Sequence, residues 1–142
     1  MKIAALNGLK VLACDIQNSF LTAKCREECY TRSGPEFGSD QSKLMLITRA
    51  LYGLKTTSAI FRSYSAETLD ELGYTPTKPD PDIWLRKAVK AEGFQYYEMV
   101  LCCVDYVLCI SDDRMKTMKG IQRTFKLKDD KIDEPEDYQG AT

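Results

Sequence analysis

The longest apolar stretch of the chain, Met99 to Ile110, is broken once, by Asp105. With Phe94 to Cys103 on one side and Val107 to Ile110 on the other, it reads as two strands pinched at an acid. That pattern predicts a hairpin with Asp105 at or beside the turn. The stretch is too short for a membrane helix, which needs ~20 apolar residues.

A second apolar run, Val11 to Ile16, also carries one acid, Asp15, and reads as a buried strand. Ahead of it, Ile3 to Leu9 reads as the end of a helix stopped by Asn7-Gly8. A long loop region follows, with Gly34-Pro35, Gly38 and short strands at Cys29–Arg32 and Leu44–Thr48. From Ser58 the spacing turns helical, with Phe61, Tyr64, Thr68, Leu69 and Leu72 on one face. Gly73 and the prolines at 76, 79 and 81 end that helix. Ile83-Trp84-Leu85 is a short apolar piece before the hairpin. After the hairpin, Ser111-Asp112-Asp113 caps a second helix with Met115, Met118, Ile121 and Phe125 inward. Asp129 to Asp137 reads as an acidic, solvated surface segment.

Strand, helix, hairpin, helix, with room for a final strand, is the order of an α+β, ferredoxin-like (split βαβ) domain: an antiparallel sheet with two helices on one face. RNA-binding modules, small-molecule regulators and polymerase palms all use it, so the fold alone does not assign a function.

Composition narrows the chemistry. At 142 residues the chain fits one domain. It has no histidine, which removes Ser-His-Asp and Cys-His nucleophilic sites, HExxH zinc sites and Cys2His2 fingers. Lys plus Arg (20) against Asp plus Glu (21) gives a net charge of −1, which disfavours gripping nucleic acid mainly by charge. No export signal or membrane segment is visible, so the expected location of an expressed product is the cytoplasm. The six cysteines then read as reduced structural thiols. Cys25-x3-Cys29 has half the spacing of a zinc site, without a matching second half.

The two acids carry the functional signal. An uncompensated carboxylate in an apolar run costs several kcal/mol, so it needs a cation, hydrogen-bond donors or a strand end that reaches solvent. Asp15 and Asp105, on neighbouring strands of a split βαβ sheet, are expected at the same end, where together they could hold Mg²⁺ and phosphate oxygens.

Six ordered motifs resemble the reverse transcriptase of copia-type retrotransposons, over nearly the whole chain. Asp15-Ile16-Gln17-Asn18-Ser19-Phe20-Leu21 is similar to D-V-x-N-A-F-L, and Pro35-Glu36-Phe37 to Q-P-x-G-F. Ala50-Leu51-Tyr52-Gly53-Leu54-Lys55 resembles the specific stretch S-L-Y-G-L-K. Gly73-Tyr74 with Asp80-Pro81-Asp82-Ile83-Trp84 resembles G-Y…S-D-P-x-V-Y, and Leu101 to Leu108 resembles L-L-Y-V-D-D-x-L. Phe125-Lys126-Leu127-Lys128 and Tyr138-Gln139-Gly140-Ala141 resemble the ending F-x-M-K…Y-L-G-I.

The resemblance implies an RNA-directed DNA polymerase palm with part of the fingers. Asp15 and Asp105 would be its catalytic and metal-binding acids, and Mg²⁺ its cofactor. Phe20 would be the gate against a ribose 2′-OH, and Tyr52, Gly53 and Lys55 would lie beside the incoming nucleotide. Template-primer and deoxynucleotides would be the partners. The departures matter equally. Tyr106 stands where the family has its second acid, and Thr56-Thr57-Ser58 where it has Q-A-P. A phenol with a pKa near 10 offers no anionic oxygen at neutral pH. The expectation is therefore a partial domain, residues 1–142, without upstream fingers, thumb or ribonuclease H, inactive or severely impaired, with Mg²⁺ binding weak or lost. The alternative is a non-catalytic nucleic-acid-binding or co-opted structural module of the same fold.

Overall fold

The structure, a computed structural model, describes residues 2–134. The Tyr138-Gln139-Gly140-Ala141 motif lies outside them. The chain divides into two compact units, Met1–Gln17 with Ser65–Thr142, and Asn18–Tyr64.

The first unit is built on a five-stranded antiparallel sheet. Its elements are α1 (Lys2–Leu6), β1 (Lys10–Asp15) and, further along the chain, β4 (Thr75–Pro76), β5 (Ile83–Val89), β6 (Gln95–Cys103), β7 (Tyr106–Ser111) and α4 (Arg114–Thr124). The strand order is β1-β7-β6-β5-β4. The predicted hairpin is β6–β7, closed by the Cys103–Tyr106 pair around Val104 and Asp105. From Val107 to Ser111 every residue of β7 is buried, because this strand is covered on both faces. On one face Leu108, Ile110 and Ala13 pack with Ala4 and Leu9. On the other, the Cys14 thiol lies 3.8 Å from Met118 Sδ of α4, and Val107 shares a small apolar space with Leu69 and Ile121.

Helix ends fall where local chemistry puts them. Gly8, at φ 58, ends α1, and Leu9 N–H returns to Ala4 O at 2.8 Å, a left-handed C-terminal cap. Asp113 caps α4, its side chain accepting from Lys116 N–H at 3.3 Å. The inward face of α4 is Thr117, Met118 and Ile121. Met115, expected inward, is 43% exposed. One turn ahead of Met118 the inward place is taken by Arg114, whose guanidinium donates to Val11 O at 2.8 Å.

Two other expectations change. The piece at Ile83–Leu85 extends to Val89, because its whole length is paired with β6. The described part of the acidic segment, 129–134, is not simply solvated: Ala13 and Asp133 exchange backbone hydrogen bonds of 2.8 and 3.0 Å, and just ahead of it Gln17 N–H donates to Lys126 O; residues 135–137 lie outside the described residues. Bridges Ile16–Leu127 and Ala13–Asp133 thus occupy the outer side of β1.

The second unit contains α2 (Ser19–Thr22), β2 (Lys24–Arg32), a 3-10 segment (Pro35–Asp40) and β3 (Leu44–Arg49). It also holds the first half of α3 (Thr57–Glu71), the helix predicted from Ser58. β2 and β3 form an antiparallel pair of their own, longer than the short strands expected. No described helix is long and apolar enough to cross a membrane.

Candidate functional site

Asp15 is the last residue of β1 and faces Tyr106, the first residue of β7, across the ladder. Asp105 is the neighbouring turn residue, and its carbonyl accepts from Ile16 N–H at 2.6 Å. The hairpin turn therefore brings Asp105 to the end of the sheet where β1 delivers Asp15. Both aspartates are exposed, so neither carries the desolvation penalty that an acid inside these apolar runs would face. Beside them Cys14 is buried, and burial, then the Asp15 charge, pushes its thiol up to about 12. It stays a neutral sulfhydryl at the back of the site.

Asp15 and Tyr106 line an open cleft whose other wall is Lys128, Lys131, Asp133 and Glu134. Sequence reasoning assigned no role to that wall. The alternation in Phe125-Lys126-Leu127-Lys128, with Phe125 and Leu127 buried, is the signal that this segment returns to the sheet. Asp105 is not among the residues lining the cleft.

Carboxylate oxygens are the donors Mg²⁺ prefers, and one or two of them plus substrate phosphates form a normal Mg²⁺ site. Asp15, at the end of β1, and Asp105, in the hairpin turn, are donors of that type. Among the described residues, however, no group of three or more His, Cys, Asp or Glu side chains is placed to hold a metal. The two acids match Mg²⁺ in donor type alone and fall short of a three-acid site.

The remaining candidate residues lie in the second unit. Phe20 sits in α2 and is buried; its ring centroid is 4.6 Å from that of Tyr52 and 5.8 Å from that of Phe61. Phe20 and Tyr52, from separate motifs, thus form one aromatic cluster, with Tyr52 largely exposed above it. Gly53 has φ 97, and Leu54 N–H donates to Leu51 O at 3.3 Å. This is the third position of a turn that requires a left-handed residue, which explains the glycine. Lys55 is exposed just past the turn, and Thr57 Oγ1 fixes the loop to α3 by donating to Leu51 O at 2.5 Å. The loop presents a phenol and an ammonium to solvent on a rigid base.

No curated protein and no solved structure matches the chain. The model of one family, described as reverse transcriptase (RNA-dependent DNA polymerase), matches residues 1–134. That span takes in the acid-bearing sheet end, the aromatic cluster and the Leu51–Lys55 loop alike, and by it the chain belongs to the reverse transcriptase family.

Proposed function

We propose that this chain derives from the palm and part of the fingers of a copia-type reverse transcriptase, and that it no longer performs nucleotidyl transfer. The observation that carries the reading is the pairing of Asp15 with Tyr106, which puts a phenol where the resemblance calls for the second acid of the hairpin. The ferredoxin-like palm reading is supported by the order of pairing. The segment from Leu127 to Asp133 bridges the outer side of β1, and β1 is followed by β7 and β6. That is the spatial order of a split βαβ sheet.

In this reading Asp15 and Asp105 would hold Mg²⁺, which when bound supplies charge stabilisation for a transferring phosphoryl group. Asp15 would present its carboxylate from the rigid end of β1, and Asp105 from the turn. Phe20, locked between Tyr52 and Phe61, would give the sugar side a fixed aromatic wall. Tyr52, Gly53 and Lys55 would meet the nucleotide, and RNA or DNA template-primer would be the ancestral partner. A phenol is neutral at physiological pH, so with Tyr106 in that place the site keeps two of three anionic groups. Residues of one catalytic unit act together, and loss of one costs orders of magnitude.

The test compares the chain with its Tyr106→Asp variant in Mg²⁺-dependent primer extension and in Mn²⁺ binding followed by electron paramagnetic resonance. The expected result is no extension by the unaltered chain and Mn²⁺ binding at least tenfold tighter in the variant. Extension by the unaltered chain at the variant's rate, or equal Mn²⁺ affinity in both, overturns the reading.

A further inference from the structure

We propose that Cys25 and Cys29 form a reactive dithiol on β2 that closes reversibly into a disulfide. Four residues apart in a regular strand, they would be separated by roughly 13 Å. The ladder shows that this strand is not regular. Lys24 faces Arg49, whereas Cys29 faces Ile47, so five steps along β2 oppose two along β3. The ends of the bulge are therefore held about as far apart as two strand residues, roughly 7 Å. The residues from Cys25 to Glu28 are pushed out of the ladder.

Inside the bulge the Cys25 thiol donates to Glu27 O at 3.3 Å. Both are free and half-buried, reachable by a small reagent. The bulge is tied down, since Thr56 Oγ1 donates to a Glu27 carboxylate oxygen at 3.5 Å. Partial burial, then the Cys25 thiol beside it and the Glu27 charge, raises the Cys29 thiol above its ordinary value. Cys14 and Cys109 are different: both are buried and both are pushed up to about 12, which keeps them out of exchange at neutral pH.

The oxidant is a small disulfide such as oxidised glutathione. The Cys25 thiolate attacks one of its sulfurs, a Cys25–glutathione bond forms, and one glutathione thiolate leaves. Cys29, giving its proton to solvent, attacks the Cys25 sulfur, the Cys25–Cys29 bond forms, and the second glutathione leaves. Two protein thiols are oxidised by two electrons and one disulfide is reduced to two thiols, with the protons taken up by the released thiolates. The proposal is independent of whether the neighbouring loop ever held a nucleotide.

The test equilibrates the folded chain in graded ratios of reduced to oxidised glutathione, traps with N-ethylmaleimide and maps the peptides by mass spectrometry. The same titration is run in guanidinium chloride. The expected result is a Cys25–Cys29 linked peptide lighter by two hydrogens, formed in the folded chain at least tenfold more favourably than in the unfolded one, because the bulge raises the effective thiol concentration. Cys29→Ser should stop at a Cys25–glutathione adduct. Independent glutathione adducts on both cysteines of the folded chain, or equal closure in guanidinium, overturns the proposal.

Discussion

One edge of the Arg86 guanidinium grips a single oxygen of Glu98, through Nε at 2.7 Å and Nη2 at 2.6 Å. Glu98 is 5% exposed, and its other oxygen accepts from Ser111 Oγ at 2.5 Å. Arg86 also donates to Leu72 O at 2.6 Å and lies 4.4 Å over the Tyr74 ring. The Tyr74 hydroxyl in turn meets Thr117 Oγ1 at 2.8 Å. One ion pair therefore ties β5, β6 and β7 to α4 and to the end of α3. Removing one partner of such a buried pair leaves a charge without compensation, at about 3–5 kcal/mol. Glu98→Ala is expected to lower the unfolding free energy by that amount, a large share of the roughly 5–15 kcal/mol of a whole domain, and so to lower the urea midpoint. Glu98→Leu combined with Arg86→Met is expected to recover most of the loss, which a double-mutant cycle measures. A Glu98→Ala midpoint within error of the unaltered chain refutes this role.

The hairpin turn carries a strained residue. Val104 has φ 52, in a region where a β-branched side chain crowds the backbone at a cost of roughly 1–2 kcal/mol. Val104→Gly should remove that strain and give back part of the gain through unfolded-state entropy, for a net stabilisation of about 0.5–1 kcal/mol. Urea denaturation at unchanged slope reads it, and a lower midpoint contradicts it.

Ser19 offers a second correction. It is fully buried, and its hydroxyl has no hydrogen-bond partner among the described residues. Ser19→Ala should stabilise the chain by about 1 kcal/mol, since an unpaired buried hydroxyl keeps its desolvation cost. If thermal denaturation gives a lower midpoint for Ser19→Ala, the hydroxyl is partnered after all.

The buried thiols set an alkaline limit. Burial raises Cys14 and Cys109 from 9.0 to about 12. Above pH 9 the unfolded chain releases protons that the folded chain keeps, so the stability these neutral thiols contribute is complete below that pH. It is lost as pH rises toward 12. The expected slope is at most about 1.4 kcal/mol per pH unit for each thiol. Denaturation midpoints of Cys14→Ala and Cys109→Ala measured from pH 8 to 11 check this: each variant should show a shallower alkaline decline than the unaltered chain.

Much of this molecule is written in short stretches of sequence. The break at Asp105 located the hairpin turn, Gly73 and the following prolines ended α3, and Asp113 started α4, because turns and caps are satisfied by residues a few positions apart. The two acids, the missing third and the Leu51–Lys55 loop were equally readable as residue types at fixed spacing. Other features depend on which distant strand meets which. Asp15 faces Tyr106 only because β1 pairs with β7 in one register. Residues expected as solvated tail return to the outer side of β1. Arg86 finds Glu98 across β5 and β6, and the Cys25–Glu28 stretch bulges because β3 opposes five steps of β2 with two. Local chemistry fixes where a strand stops. Which residues meet across the sheet is decided by a ladder of backbone hydrogen bonds and two-sided burial, which bind residues far apart in the chain and leave no mark at either one alone.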